Sequence, residues 1–131
     1  MSDPVKVVKD FVAAVTAGDM VAATGMLSED FALYHFTRLP YRGDYHSRAG
    51  FGDLLMHMAA FWESFEPTPG QQIIRDGEGV VVIGKLRGKP KHIDEEIAIH
   101  VLERYSLKGS EITTIWTLYI DTHLTQEQVT P

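Results

Sequence analysis

Pro67, Pro69 and Gly70 divide the chain into two parts whose apolar residues follow different spacings. Before them, most apolar residues recur every three or four positions, which is typical of amphipathic helices. After them, apolar and polar residues alternate in segments separated by the turn-rich stretches DGEG, RGKPK and LKGS, which predicts antiparallel strands. Helices followed by strands indicate an α+β fold rather than a parallel α/β fold.

The first part is predicted to hold three helices and one short strand. The first helix starts at residues 2–4, where Ser2 and Asp3 offer an N-cap, and it ends at Gly18. Asp19 caps a second helix that runs through Leu27. Residues 31–36 alternate in polarity and predict a strand. Ser47 is a plausible N-cap for a third helix, whose broad apolar stripe runs from Leu54 to Phe65.

The second part is predicted to be a sheet with strands at about residues 71–75, 80–87, 93–107 and 111–121. Three helices are too few to cover both faces of such a sheet. We therefore expect a strongly curved sheet with helices on one face and the other face available to a partner subunit. In the third of these strands Ile97, Ile99 and Val101 share a face, and either face could point inward. The 131 residues are about the length of one domain.

Composition excludes several classes of function. Twelve Lys and Arg against eighteen Asp and Glu give a net charge of −6 with no basic cluster, so nucleic acid is not expected as a partner. The chain has no cysteine, its six histidines form no HxH or HxxxH pair, and no glycine-rich loop links a strand to a helix, so we expect no metal and no nucleotide cofactor. We expect a cytoplasmic protein without membrane contact, because MSDPVKVVKD is unlike a signal peptide and no long apolar run follows.

Three stretches resemble the SnoaL-like polyketide cyclases, within the superfamily of nuclear transport factor 2 and ketosteroid isomerase. VTAGDMVAATGMLSEDF is similar to the family's helix-Gly-Asp-helix-acidic-strand opening. LPYRGDYHSRAGFGDLL resembles its Pro-Tyr-x-Gly-x-Tyr loop before the third helix, and EITTIWTLYIDTHLTQEQ resembles its last strand. The resemblance implies a cone-shaped sheet around a pocket for a small hydrophobic molecule, and a homodimer formed through the outer sheet face. Trp116, Leu118 and Ile120 are candidates for that interface.

The resemblance implies a role for Asp121, at the end of the last strand. In SnoaL-like cyclases the corresponding carboxylate is the general acid/base of an intramolecular aldol closure. Such chemistry needs a partly apolar cavity, because desolvation raises a carboxyl pKa towards the working pH. The alternative is that Asp121 or Thr122 caps a C-terminal turn. The predicted substrate contacts are Thr117 and Tyr119 on the same strand face, with Tyr34, Tyr41 and Trp62 at the mouth.

His100 is a second candidate catalytic residue, on the neighbouring strand. If the turn centres on Lys108 and Gly109, His100 lies opposite Leu118 or Tyr119. In the second register it would sit diagonally from Asp121 and could polarise a carbonyl or tune the carboxylate. A slip of one residue would turn His100 to the other face, where it would be an ordinary sheet histidine.

His35 is a third candidate, close to where ketosteroid isomerases carry a carboxylate base. Imidazole could act as a base at neutral pH. The plainer interpretation, which the sequence favours, is a half-exposed histidine at the strand end, hydrogen-bonded to the following loop.

Two relatives' reactions are disfavoured. Phe11 and its neighbours offer no hydroxyl where ketosteroid isomerases place a tyrosine, and no second aspartate completes the Asp-Arg-Asp relay of the epoxide hydrolases. The leading hypothesis is a cofactor-free cyclase or isomerase that acts on a hydrophobic carbonyl compound. The alternatives are a non-catalytic dimer that binds a small apolar ligand, and a protein-assembly module that uses the outer sheet face.

Overall fold

The computed structural model describes residues 3–131 and confirms the predicted α+β class. Ser2, part of the predicted N-cap, lies outside the described residues. The helices are α1 (Pro4–Thr16), α2 (Met20–Gly25), α3 (Ser47–Phe61) and α4 (Gln126–Val129). The strands are β1 (Leu27–Phe36), β2 (Gly43–His46), β3 (Trp62–Pro67), β4 (Gln72–Asp76), β5 (Gly79–Pro90), β6 (Ile97–Lys108) and β7 (Glu111–Ile120).

The starts of α1 and α2 follow the capping signals in the sequence, whereas the prediction of Ser47 as the N-cap of α3 is wrong, because Ser47 is the first helical residue and His46 occupies the N-cap position. Asp3 Oδ1 accepts a 3.0 Å hydrogen bond from the backbone N–H of Val5, and Pro4 occupies the first turn of α1. Asp19 caps α2 in the same way. The predicted extension of α2 through Leu27 is wrong, because Leu27 already pairs with Ile112 as the first residue of β1.

In the described part of the chain, seven strands form one mixed sheet in the order β2-β1-β7-β6-β5-β3, with β4 also paired to β5. The first and last of the long strands, β1 and β7, are parallel, and every other pair is antiparallel. Helix α1 packs against β4 and β5, and α3 packs against β1 and β2. The sheet curls around these helices, as the sequence predicts.

The burial pattern shows which sheet face points inward. Ile97, Ile99 and Val101 are buried in the core, so their face of β6 is the concave one. The convex face exposes a group of large apolar side chains on neighbouring strands. We call this group the outer apolar patch: Phe36, Leu102, Trp116, Leu118 and Ile120.

The third helix ends earlier than its apolar stripe predicts. Phe61 is its last residue, and Trp62 begins a strand that pairs with the end of β5. Gly88 faces the Trp62 ring so closely that a Cβ atom there would lie 2.7 Å from it. The apolar residues after Phe61 therefore belong to a sheet edge and not to a further helical turn. Strand β2, which is short and polar, was also not predicted.

Within residues 3–131, none of the helices combines the length and the apolar character needed to cross a membrane.

Candidate functional site

A cavity of about 460 Å³ lies between the concave face of the sheet and helices α1 and α3. Its volume falls within the range of roughly 300–1,000 Å³ that is usual for small-molecule sites. Most of its wall is aliphatic or aromatic, including Phe11, Phe51 and Leu54 from the helices. The lining residues Glu66 and Lys85 are exposed and mark its open side. The polar residues deeper in the wall are His35, Glu103, Tyr105, Thr117 and Tyr119.

Three of these residues form a row across neighbouring strands. His35 on β1 is in register with Thr117 on β7, and Thr117 is in register with Glu103 on β6. Paired residues point to the same side of a sheet, and neighbouring strands are about 4.8 Å apart, so His35 and Glu103 are about 10 Å apart at the backbone. Because the side chain of Thr117 is short, it leaves space on the cavity side between His35 and Glu103. A ligand group in that space would lie between an imidazole and a carboxyl group.

His35 is 4% exposed, so the predicted half-exposed position at the strand end is wrong. Its Nδ1 is buried and has no hydrogen-bond partner among residues 3–131. Burial lowers the pKa of the imidazole to about 4, although the nearby negative charge of Asp121 opposes this shift. The ring is therefore neutral at physiological pH. A buried polar atom without a partner is rare, and it is an indication of a site that a ligand or water completes.

Glu103 is the functional candidate that the sequence reasoning missed. Its two carboxyl oxygens accept hydrogen bonds from Tyr105 Oη (3.0 Å) and Thr117 Oγ1 (2.9 Å). Burial raises its pKa, and these two hydrogen bonds oppose the shift. A signal was present, because Glu103 continues the alternation of Ile97, Ile99 and Val101. A carboxylate in phase with an apolar strand face is a candidate for a buried functional group.

Asp121 is 3% exposed but lies behind the cavity wall and not in it. Its Oδ2 accepts hydrogen bonds from Thr37 Oγ1 (2.5 Å) and from the backbone N–H of Arg38 (2.9 Å). The Arg38 guanidinium donates to the backbone oxygens of Asp121 (3.2 Å) and Leu124 (2.6 Å). These contacts tie the end of β7 to the end of β1. The carboxylate acts on the cavity through its charge, which favours the protonated form of His35.

A chain of hydrogen bonds begins beneath the cavity wall, at Trp62, and ends at Tyr119, which lines the cavity. Trp62 Nε1 donates to Tyr41 Oη, and Tyr41 Oη donates to Tyr119 Oη, each at 3.0 Å. Because Tyr41 is the donor to Tyr119, the hydroxyl proton of Tyr119 is free for another acceptor. Tyr119 and Thr117 line the cavity as predicted contacts, whereas Tyr41 and Trp62 lie beneath its wall and not at its mouth.

His100 and Tyr34 do not face the cavity. His100 pairs with Ile120, and Tyr34 pairs with Trp116, which places both on the outer sheet face. The predicted β6–β7 register is wrong because the strands shift between Ser106 and Leu107. Such an irregularity changes the pairing without an evident sequence signal. The side chain of His100 therefore points to the outer face of the sheet, whereas Asp121 is buried.

The part of the chain that the structure describes contains no group of three or more His, Asp or Glu side chains arranged to hold a metal ion.

The family comparison matches residues 8–115 to the SnoaL-like domain. No curated protein matches the chain. Among solved structures, a nuclear transport factor 2-like protein from Burkholderia xenovorans LB400 is similar at 22% identity, over 97% of this chain and 95% of its own, with a TM-score of 0.85.

Two further structures share the fold. TerC, co-crystallised with polyporic acid, is 16% identical over 97% of this chain and 98% of its own, with a TM-score of 0.82. A candidate polyketide cyclase from Xanthomonas campestris pv. campestris is 18% identical over 95% of both chains, with a TM-score of 0.77. At these identities the similarity establishes the architecture, while function must be argued from the site.

Proposed function

The chain belongs to the SnoaL-like domain family, and from this premise we propose that its cavity binds a hydrophobic carbonyl compound and moves protons at the carbon next to the carbonyl. The observation that carries the proposal is the row of His35, Thr117 and Glu103 on the cavity wall, with Nδ1 of His35 buried and unpartnered among the described residues. At one end of the row is the neutral imidazole of His35, and at the other end is the carboxyl group of Glu103, whose pKa burial raises.

In the proposed reaction His35 is the general base. The imidazole takes a proton from the carbon next to the carbonyl, and the electron pair of the broken C–H bond moves to form an enolate. The negative charge of Asp121 stabilises the imidazolium that results, so Asp121 is a positioning residue in this scheme. Such stabilisation of charge that develops during the reaction is a large contribution in many enzymes.

Two groups are available for the enolate oxygen. Tyr119 carries a hydroxyl proton that the chain from Trp62 and Tyr41 leaves free, and Glu103 can donate when it is protonated. The imidazolium then returns its proton to another carbon, which is an isomerisation, or the enolate carbon attacks a second carbonyl in the same molecule, which is an aldol closure. Neither route requires a cofactor.

The comparisons support a small-molecule function. One protein of this fold was crystallised with polyporic acid, and another is a candidate polyketide cyclase. We extend to this chain only the type of ligand, a small organic molecule, and not the reaction.

We also propose a homodimer formed through the outer apolar patch. Trp116 is 54% exposed and lies beside Leu118 and Ile120 on neighbouring sheet positions. Contiguous apolar surface of this kind is typical of protein interfaces.

Hydrogen–deuterium exchange at a ketone tests the proton transfer. The probe is acetonaphthone in D₂O, and the loss of its methyl signal is followed by NMR. We expect the protein to accelerate this loss over buffer, and His35→Gln to reduce the acceleration by about a hundredfold or more. His57→Gln, which changes an exposed histidine on α3, is the matched control and should leave the rate unchanged.

Asp121→Asn separates positioning from proton transfer. Without the charge of Asp121 the His35 pKa should fall further, so the exchange rate should drop and its pH profile should move to lower pH. If bound acetonaphthone exchanges no faster than in buffer, the acid/base proposal is wrong.

A second candidate function is binding without catalysis. The low His35 pKa favours it, because an imidazole with a pKa of about 4 is a weak base. This function predicts tight binding of the same ketone with no accelerated exchange in any variant.

A further inference from the structure

Gln71 is part of the cavity wall, together with Glu66 and Lys85, which mark the open side. It is half-buried and lies in the connection between β3 and β4. Both of these strands pair with β5, so the connection runs along the edge of that strand. The position of Gln71 therefore bears on how a ligand reaches the cavity.

The side chain of Gln71 covers Gly84, the residue that precedes Lys85 on β5. Gly84 lines the cavity and pairs with Val101, whose side chain is buried on the concave face of the sheet. A Cβ atom on Gly84 would lie 2.9 Å from Cγ of Gln71 and 3.6 Å from its Nε2. The lack of a side chain at Gly84 thus provides the space in which the Gln71 side chain lies across the wall.

The backbone on both sides of Gln71 is held in place. The backbone N–H of Thr68 donates to the backbone oxygen of Lys85 at 2.8 Å, and the Thr68 hydroxyl donates to the same oxygen at 3.1 Å. On the other side, Gln72 pairs with Ile83 as the first residue of β4. The part that can move is therefore the Gln71 side chain, which rotates about its own single bonds, and not the connection that carries it.

Two positions are available to this side chain. Across Gly84 its methylene groups are removed from water, which favours that position. Turned outward, its amide group is hydrated and the side chain regains rotamer freedom. Because these contributions oppose each other, the outward position is accessible at ambient temperature.

We propose that the side chain of Gln71 is a gate of the cavity. In the closed position it lies across Gly84 and narrows the open side, and a ligand enters or leaves when it turns outward. The gate rests on the proposed function only in that it serves the same cavity. It depends neither on a proton transfer nor on a carbonyl group in the ligand.

Stopped-flow fluorescence with phenylnaphthylamine tests the gate. This probe is uncharged, has no carbonyl group and becomes fluorescent in apolar surroundings, so it reports entry and exit alone. Gln71→Ala removes the gate and should raise the association and dissociation rate constants by about tenfold each, which corresponds to an outward position populated about a tenth of the time. Since both rate constants rise together, the dissociation constant should stay within about threefold of wild type.

Gln72→Ala is the matched control. It makes the same chemical change at the next residue, which is exposed and is not part of the cavity wall. It should leave both rate constants unchanged. Thr68→Val removes the hydroxyl bond to Lys85 and keeps the backbone bond, so it should also leave them unchanged if the side chain of Gln71 is the moving part.

Gly84→Ala gives a second test through the contact itself. The added methyl group occupies the space in which the Gln71 side chain lies, so it should displace that side chain and raise both rate constants. In a protein that already carries Gln71→Ala, the same change should add nothing. Such dependence of one substitution on another is expected for residues in direct contact.

Four results would overturn the proposal. They are unchanged rate constants in Gln71→Ala, equal changes in Gln71→Ala and Gln72→Ala, a rise in Thr68→Val as large as that in Gln71→Ala, and an effect of Gly84→Ala that is the same with and without Gln71. Failure of the probe to bind both wild type and Gln71→Ala would overturn it as well, because a gate requires an accessible cavity. Faster entry in Gln71→Ala without accelerated ketone exchange in any variant would support the gate and remove the catalytic proposal.

Discussion

The imidazole of His35 meets the phenol ring of Tyr119 almost edge to face, with 4.4 Å between the ring centroids and 82° between the ring planes. Tyr41 packs against another side of the same imidazole, with 5.2 Å between centroids. The two aromatic rings occupy positions where water would hydrate an imidazolium. They are therefore part of the physical cause of the low His35 pKa.

Replacement of His35 should remove part of the acid sensitivity of the fold. The unfolded chain binds a proton at this residue below about pH 6.5, whereas the folded chain does so only near pH 4. The stability that comes from the neutral ring is thus present above pH 6.5 and is lost as the pH falls towards 4, by about 3 kcal/mol. Urea unfolding at several pH values should show a smaller loss for His35→Gln than for wild type. His57→Gln should behave like wild type, and equal losses in all three proteins would contradict the prediction.

Replacement of Glu103 should have the opposite pH dependence. Its folded pKa is raised, so the folded state keeps a proton that the unfolded chain has released. Wild type therefore loses stability as the pH rises from the ordinary glutamate value towards the folded one. Glu103→Gln cannot ionise and should gain stability relative to wild type over the same rise. Thermal unfolding across that range measures the difference, and a constant difference would contradict a raised pKa.

Loss of the Tyr41 hydroxyl should destabilise the protein more than loss of the Tyr45 hydroxyl. Tyr41→Phe leaves both Trp62 Nε1–H and Tyr119 Oη without their present partner in buried positions. Buried groups left unpaired cost about 1–3 kcal/mol each. The Tyr45 hydroxyl makes one hydrogen bond, to the backbone oxygen of Tyr41, so Tyr45→Phe should cost about 1 kcal/mol. Denaturant unfolding of the two variants should reveal this order.

A charge placed in the outer apolar patch should prevent the proposed dimer from forming. Trp116→Glu puts a carboxylate at the centre of the patch, where dimerisation would bury it without a partner. Sedimentation of wild type and variant over a range of concentrations should give a dimer and a monomer. Val21→Glu is the control, because Val21 is 88% exposed on α2, away from the sheet face. A wild-type monomer at all concentrations would contradict the dimer.

Two glycine substitutions should change stability in opposite directions. A Cβ at position 88 would lie 2.7 Å from the Trp62 ring and from the backbone oxygen of Ser64, so Gly88→Ala should cost about 1–3 kcal/mol. Gly52 lies on the exposed side of α3, and a Cβ atom added there would have no neighbour within 4 Å. Gly52→Ala should therefore stabilise the helix by about 0.5–1 kcal/mol. Thermal unfolding of both variants checks the signs.

The sequence predicts the elements well where periodicity and capping agree. Asp3 and Asp19 cap the helices as expected, and His35 shares the buried face of Phe31 and Leu33. Periodicity fails after Phe61, because apolar residues at helical spacing can also belong to a short strand. Tertiary pairing with β5, which no local signal reveals, decides in favour of the strand.

The candidate site is less predictable than the fold. Alternation along β7 places Thr117 and Tyr119 on the same strand face, and both residues line the cavity. His100 lies between Ile99 and Val101, whose side chains are buried, so alternation along β6 places it on the outer face. The irregularity near Ser106 sets its partner on β7, which is Ile120 and not Leu118 or Tyr119. Glu103 could have been found from its phase with Ile97, Ile99 and Val101, because a carboxylate on a buried face requires an explanation.

The parallel pairing of β1 with β7 means that the cavity wall is assembled from strands far apart in the sequence. During synthesis His35 leaves the ribosome long before Thr117, and the row that joins them to Glu103 cannot exist until β7 has emerged. A nascent chain that lacks β7 has an open edge on β1 and lacks the cavity-lining residues Thr117 and Tyr119. The cavity wall can therefore be complete only after β7 has been translated, and folding waits for contacts between residues far apart in the chain.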